Sequence, residues 1–213
     1  VPRTAWIIYT PAIPADHPQL LAAQGEGRIV LKRAELLGQI ANAGQSLAVA
    51  GTHGKTTTSA MLAWILSQDR PIQAFLGGIA SNFNSNCLPG PADLSVVEAD
   101  EFDRSFLQLY PSAAVVTSTD ADHLDIYGTS EEIEASFVEF ANKVEDKSQL
   151  FITNELPIEG VTCAVNEEAV YKAFNVRVGN GSYVFDVQTP TETIKDIAFG
   201  LPGRHNLMNA LMA

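Results

Sequence analysis

Ser46-Leu47-Ala48-Val49-Ala50-Gly51-Thr52-His53-Gly54-Lys55-Thr56-Thr57-Thr58 decides the fold of this chain. The first five residues are a β-type apolar run. A glycine-bracketed loop follows and closes on Gly54-Lys55-Thr56. From Thr57 to about Gln68 the residues read as an apolar helix. Strand, loop and helix in that order form a cradle for a nucleotide's phosphates. Glycines let the backbone approach closely, and the N–H groups of the loop and helix start point at the anion. The lysine adds a point charge, and the hydroxyl directly after it can ligate Mg2+. The spacing departs from the usual G-x-x-x-x-G-K-[ST] at one place, where Val49 stands for the first glycine. A bare Gly-Lys-Thr also occurs as an ordinary turn before a helix. The preceding strand and following helix favour the nucleotide loop.

Working outward, apolar strands recur at Leu47–Ala50, Ala74–Leu76, Leu94–Val97, Ala113–Thr117 and Leu150–Thr153, with helical patterns between several of them. The clearest helix runs from Thr129 to Val144. Thr129 and Glu132 make a capping box, and Ile133, Phe137, Phe140, Ala141 and Val144 line one face. This alternation predicts an α/β fold with a mostly parallel sheet and flanking helices. Beyond Asn175 the texture changes. Val176-Arg177-Val178, Gly179-Asn180-Gly181 and Tyr183 to Val187 read as a hairpin, with a further edge strand within Ile194 to Leu201. A small antiparallel annex is expected there. Upstream, residues 1–45 read as strand (Trp6–Tyr9), helix from Pro18, short buried strand (Ile29–Leu31) and helix (Ala34–Ala43), the tail of another α/β domain. Asn42-Ala43-Gly44-Gln45 reads as a linker. Both ends look cut, so the chain is expected to be part of a longer protein.

The chain has 213 residues, 46% of them hydrophobic, which is ample for a core. Thirteen Lys and Arg against 25 Asp and Glu give a formal charge of −12, which disfavours a nucleic-acid surface or an anionic membrane surface. No apolar run approaches a membrane span, and the N-terminus is not a signal peptide. Cys87 and Cys163 stand apart from any metal-site spacing and read as free thiols of a reducing cytoplasm.

Two further segments follow predicted strands, at the carboxyl ends where open α/β sheets bind ligands. In Glu98-Ala99-Asp100-Glu101-Phe102-Asp103, Glu98 at the strand end is placed to hold a Mg2+ carried by a nucleotide. The other three carboxylates read as a solvated loop. In Asp120-Ala121-Asp122-His123-Leu124-Asp125, His123 is a candidate site residue beside Asp122 and Asp125, against a plain loop histidine. A third segment, Gly203-Arg204-His205-Asn206-Leu207-Met208-Asn209, precedes an apolar helix. It reads either as a turn and N-cap or as a source of amide groups, Asn206 and Asn209, for an adenine edge.

Together these segments resemble the Mur ligases, the ATP-dependent amide-forming enzymes of bacterial peptidoglycan synthesis. Gly51-Thr52-His53-Gly54-Lys55-Thr56-Thr57 is similar to that family's ATP loop, which also lacks the early glycine. Glu98-Ala99-Asp100-Glu101, Asp122-His123-Leu124-Asp125 and Gly203-Arg204-His205-Asn206 follow in the family's order. The motifs look most like the member that joins L-alanine to UDP-N-acetylmuramate. The alternatives are the recycling member that adds a tripeptide to the same substrate, a P-loop NTPase, and a nucleotide-binding module. The resemblance implies that residues 1–45 end an N-terminal, Rossmann-like UDP-substrate domain and that 46–213 form the central ATPase. The glycine-rich UDP loop and the C-terminal domain of such enzymes are absent from this sequence. By the same resemblance ATP and Mg2+ are the cofactors, and Lys55, Glu98 and His123 are catalytic. Gly51, Thr52, His53, Gly54, Lys55, Thr56, Thr57, His205, Asn206 and Asn209 would bind ATP, and Thr56, Glu98 and His123 the metal. Where several members carry a carbamylated lysine, this chain reads Phe137-Val138-Glu139-Phe140, with Glu139 as the substitute.

Overall fold

The loop of residues 51–54 emerges from the middle of a ten-stranded sheet. The computed structural model describes residues 2, 4–120, 129–179 and 181–213. Within them the chain runs β1 (Ile7–Tyr9), α1 (Pro18–Gly25), β2 (Val30–Lys32), α2 (Arg33–Ala41), β3 (Gln45–Ala50), α3 (Lys55–Ser67), β4 (Gln73–Ala80), β5 (Ser85–Leu88), β6 (Leu94–Glu98) and β7 (Ala113–Val116). It continues through α4 (Ser130–Asn142), β8 (Leu150–Thr153), β9 (Val161–Val165), β10 (Tyr171–Gly179), β11 (Ser182–Gln188), β12 (Thr193–Phe199) and α5 (Arg204–Met212). Two short 3-10 segments, Phe102–Gln108 and Lys147–Gln149, complete the elements.

The sheet order is β12-β11-β10-β9-β8-β7-β3-β6-β4-β5. From β10 across to β4 every pairing is parallel. Both edges are antiparallel, β5 on one side and β11 with β12 on the other. The central strands are buried on both faces. Ala48, Val49 and Ala50 of β3 and Val96 and Val97 of β6 are at most 1% exposed, which is why they read as continuous apolar runs. One core lies under α4, where Phe106 stacks on Phe140 at 5.0 Å and meets Phe137 edge-on at 5.3 Å. Two other apolar clusters involve α3, and α5 joins one of them through Leu211 and Met212.

The helix expected from Thr129 to Val144 forms over Ser130–Asn142 with Thr129 as its N-cap, so Val144 lies just beyond its end. The Thr129 hydroxyl accepts from the Glu132 N–H at 3.3 Å, and all five residues of the predicted face are buried. Elsewhere the structure corrects the sequence-based expectations. The expected antiparallel annex is present as β11 and β12, and it continues the same sheet, because β10 pairs in parallel with β9 before turning into β11. Strands β5 and β9 were not expected. The strand expected at Ile29–Leu31 begins one residue later and is only half-buried, and Ile29 is 50% exposed. Among the described residues its sheet has a single other strand, β1. The expected linker is tied down. The Asn42 amide donates to the Gln108 carbonyl and accepts from the Tyr110 N–H, both at 2.9 Å. Ala41 belongs to the main core.

Candidate nucleotide-binding site

Strands β3, β6 and β7 lie side by side, and the segments leaving their carboxyl ends build the candidate site. The chain leaves β3 for β4 on one side of the sheet, while β7 lies on the other. This is the topological switch point at which open α/β sheets form crevices.

After β3, Gly54 is the N-cap of α3 with φ of 83°, a conformation that favours glycine. A Cβ there would stand 2.6 Å from Asn209 Oδ1. No side chain caps α3 and its first turn has no acidic residue, so the helix start presents its field and N–H groups to an anion. Lys55 folds back over the loop. Its Nζ donates to the Gly51 carbonyl at 2.7 Å and lies 2.9 and 2.8 Å from the two oxygens of Glu101.

After β6, Glu98 turns toward α3. Its Oε1 accepts from the Thr56 hydroxyl at 2.9 Å, and its Oε2 accepts from the Gly77 N–H at 2.6 Å and the Ser59 hydroxyl at 3.4 Å. Thr56 and Glu98 thus bring two hard oxygen donors together at the loop mouth. That donor chemistry fits Mg2+, with phosphate and water completing the shell. Among the described residues no group of three or more His, Cys, Asp or Glu side chains could hold a metal ion.

After β7, Thr117 and Ser118 brace the loop. The Ser118 hydroxyl accepts from the His53 N–H and shares a bond with the Thr52 hydroxyl, both at 2.9 Å. The Thr117 hydroxyl meets the His53 carbonyl. The His53 ring is exposed, with Nε2 3.9 Å from Asp120 Oδ2. Thr57, the helical residue after Thr56, lines a groove beside Trp64.

A cleft of about 790 Å3 opens beside the loop, between residues 117–120 and α5. His205 lines it. Asn209 is buried against Gly54, and the Asn206 amide donates to the Pro202 carbonyl at 2.6 Å, on its own turn. His123, with Asp122 and Asp125, lies outside the described residues.

Two expectations change. Glu101 is not part of a solvated loop: it is 1% exposed and holds Lys55. Nothing in the Glu-Ala-Asp-Glu run distinguishes it from Asp100, because its burial depends on the turn after β6. Glu139 is exposed on the side of α4 away from Phe137 and Phe140, and the α4 residues that line the cleft are Ser130 and Glu134. Ser118, Ser59 and Gly77 were missed, since each reaches the site through pairing or packing with distant segments. Both cysteines are free. Cys87 is exposed, and burial pushes the Cys163 thiol up to about 12. Among the described residues no helix is long and apolar enough to cross a membrane.

The Mur ligase middle domain, as a family, matches residues 49–213. The UDP-N-acetylmuramate–L-alanine ligase of Flavobacterium johnsoniae is 62% identical over 208 residues, covering 97% of this chain and 46% of that protein. The chain spans about half the length of the curated relatives it matches. The crystal structure of the UDP-N-acetylmuramate–alanine ligase of Thermotoga maritima superimposes with a TM-score of 0.83 at 25% identity, over 97% of this chain and 49% of that one. A UDP-N-acetylmuramate:L-alanyl-γ-D-glutamyl-meso-diaminopimelate ligase from Neisseria meningitides shares the fold, with a TM-score of 0.80 at 24% identity over 96% of this chain and 71% of that one. With the middle-domain family matching residues 49–213, more than three quarters of its length and around the very loop that holds Lys55, the chain belongs to the Mur ligases.

Proposed function

We propose that this chain is the ATP-handling part of a cytoplasmic ligase that joins L-alanine to the carboxylate of UDP-N-acetylmuramate in peptidoglycan biosynthesis. The observation that carries the reading is the contact of Thr56 with Glu98 at the start of α3, directly after Lys55, whose ammonium lies over the Gly51 carbonyl of the loop. The 62% identity to an alanine-adding enzyme supports the choice of member. Residues 1–45 would close the UDP-substrate domain, and 46–213 would hold ATP.

The reaction has two steps. The substrate carboxylate attacks the γ-phosphate of ATP, giving an acyl phosphate and ADP. The amine of L-alanine then attacks the acyl carbon, expels phosphate and loses a proton as the amide forms. The difficulty of the first step is bringing one anion onto another. Such transfers are catalysed mainly by positioning and charge stabilisation. Lys55 would neutralise phosphate charge, and the first N–H groups of α3 would hold the β-phosphate. Thr56 and Glu98 would hold the Mg2+, which would neutralise phosphate charge. His53, His205, Asn206 and Asn209 flank the loop and the cleft on the side assigned to the nucleoside. His123, which the resemblance assigns to a second metal, carries no step in this scheme.

Calorimetric titration with ATP and Mg2+ tests the site. The chain should bind, and Lys55→Ala should weaken binding by about tenfold or more, the loss of a charge-assisted contact. Unchanged affinity would refute the assignment. Phosphate release by the longer polypeptide tests the reaction. It should require both UDP-N-acetylmuramate and L-alanine. Acceptance of a tripeptide in place of L-alanine would identify the recycling ligase, and release without either substrate would indicate an NTPase.

A further inference from the structure

Glu101 has no role in the two-step reaction, yet it is the most deeply buried acidic side chain among the described residues, at 1% exposure. A buried carboxylate is tolerated only when paired, and Lys55 is a cation in contact with it. An ammonium has three N–H donors. The Gly51 carbonyl and Glu101 Oε1 accept hydrogen bonds from Lys55 Nζ at 2.7 and 2.9 Å, and Glu101 Oε2 lies in ion-pair contact with it at 2.8 Å. A phosphate oxygen that engages Lys55 must compete with these oxygens for the ammonium.

The carboxylate itself is anchored. Beyond Phe102, Asp103 and Arg104 take left-handed conformations, with φ of 53° and 54°. Such strain in two successive non-glycine residues persists where surrounding contacts impose it. The Arg104 N–H donates to the Glu101 carbonyl and the Phe106 N–H to the Asp100 carbonyl, each at 2.9 Å. Phe106 is wedged against Phe140, and Lys32 Nζ meets Asp103 Oδ2 at 2.8 Å. The lysine, on a flexible stem, is therefore the part that moves.

We infer that Glu101 is a positioning residue that parks the Lys55 ammonium against the Gly51 carbonyl while the loop is empty, so that nucleotide phosphates must compete with a fixed carboxylate for the lysine. The inference rests on Lys55 being a phosphate ligand. The test is titration of the 213-residue chain, its Glu101→Gln and Lys55→Ala variants and the double variant with ADP and Mg2+, alongside their thermal unfolding. Removing the competing charge should tighten ADP binding by about tenfold in Glu101→Gln, because opposed charges at contact distance interact strongly at a site largely shielded from water. The double variant should bind no tighter than Lys55→Ala. A merely structural glutamate predicts the opposite sign, weaker binding together with a lower melting temperature. Equal or weaker binding by Glu101→Gln, or the same tightening in the Lys55→Ala background, would overturn the inference while leaving the nucleotide reading intact. Lys55→Ala binding as well as the unaltered chain would overturn both. A crystal structure of the unaltered chain with ADP and Mg2+ needs no variant: Lys55 Nζ should have left at least one of its three oxygens, and bound nucleotide with all three contacts kept would refute the idea.

Discussion

Glu98 depends for its orientation on a residue without a side chain. The Gly77 N–H donates to Glu98 Oε2, and a Cβ on Gly77 would stand 2.1 Å from Oε1. Gly77→Ala must therefore push the carboxylate away from Thr56. Overpacking of this kind typically costs about 1–3 kcal/mol in stability. The larger effect should be on function, with Mg2+-dependent ATP affinity falling by about tenfold or more as the Thr56–Glu98 pair separates. Gly78→Ala is the control, since its Cβ would lie 3.3 Å from Thr56 Cγ2, a contact that small shifts relieve. Equal ATP affinity in the two variants would argue that Glu98 does not hold the metal. Lys55, Thr56 and Glu98 were all legible in the sequence, because residue type and position after a strand are local facts. Gly77 was not, because its role exists only where β4 lies beside β6.

At the scale of elements, the β10–β11–β12 hairpins are held at their bulges by one carboxylate. Asp186 accepts from the Asn175 amide at 3.0 Å and from the Asp196 N–H at 2.9 Å, with Arg177 3.8 Å away. The Asn175 amide first, then the Asp196 N–H and the Arg177 charge, hold its carboxyl below the usual carboxylate range. A folded pKa below the unfolded value of about 3.9 stabilises the protein above that pH, and this contribution is lost as pH falls through the folded pKa. Asp186→Asn should therefore be less stable than the unaltered chain at pH 7, with the gap closing in acid. Urea unfolding at pH 7, 4 and 3 measures it, and a gap that does not depend on pH would rule out the carboxylate as its source. The hairpins themselves were readable from alternation and the Gly179-Asn180-Gly181 turn. Their pairing onto β9 was not, since a parallel partner leaves no turn signal.

At the scale of the whole molecule, the ten strands form one hydrogen-bonded surface, and β3 sits inside it with neighbours on both sides. Loss of the core under α4 should then be felt across the entire sheet. Phe140→Ala removes a fully buried ring stacked at 5.0 Å on Phe106, and such truncations cost about 3–5 kcal/mol. For a chain of this size each kcal/mol lowers the melting temperature by about 2–4 °C. Far-UV circular dichroism and tryptophan fluorescence should still report one coincident transition. Separate melting of the hairpin strands from the parallel core would show that the sheet is two units.

By itself the sequence determined the α/β class, the phosphate loop before α3, the capped helix α4 with its buried face, and the candidacy of Glu98. Each of these is written in periodicity, turn chemistry or adjacency along the chain. Only the tertiary structure decided that Glu101 is the buried partner of Lys55, that Ser118 braces His53, that Gly77 admits Glu98, and that the hairpins extend the main sheet. The physical reason is the same in each case. Lys55 and Glu101 are 46 residues apart, and His53 and Ser118 are 65 apart. Contacts of that separation are set by strand order across the sheet, which local residue patterns do not encode.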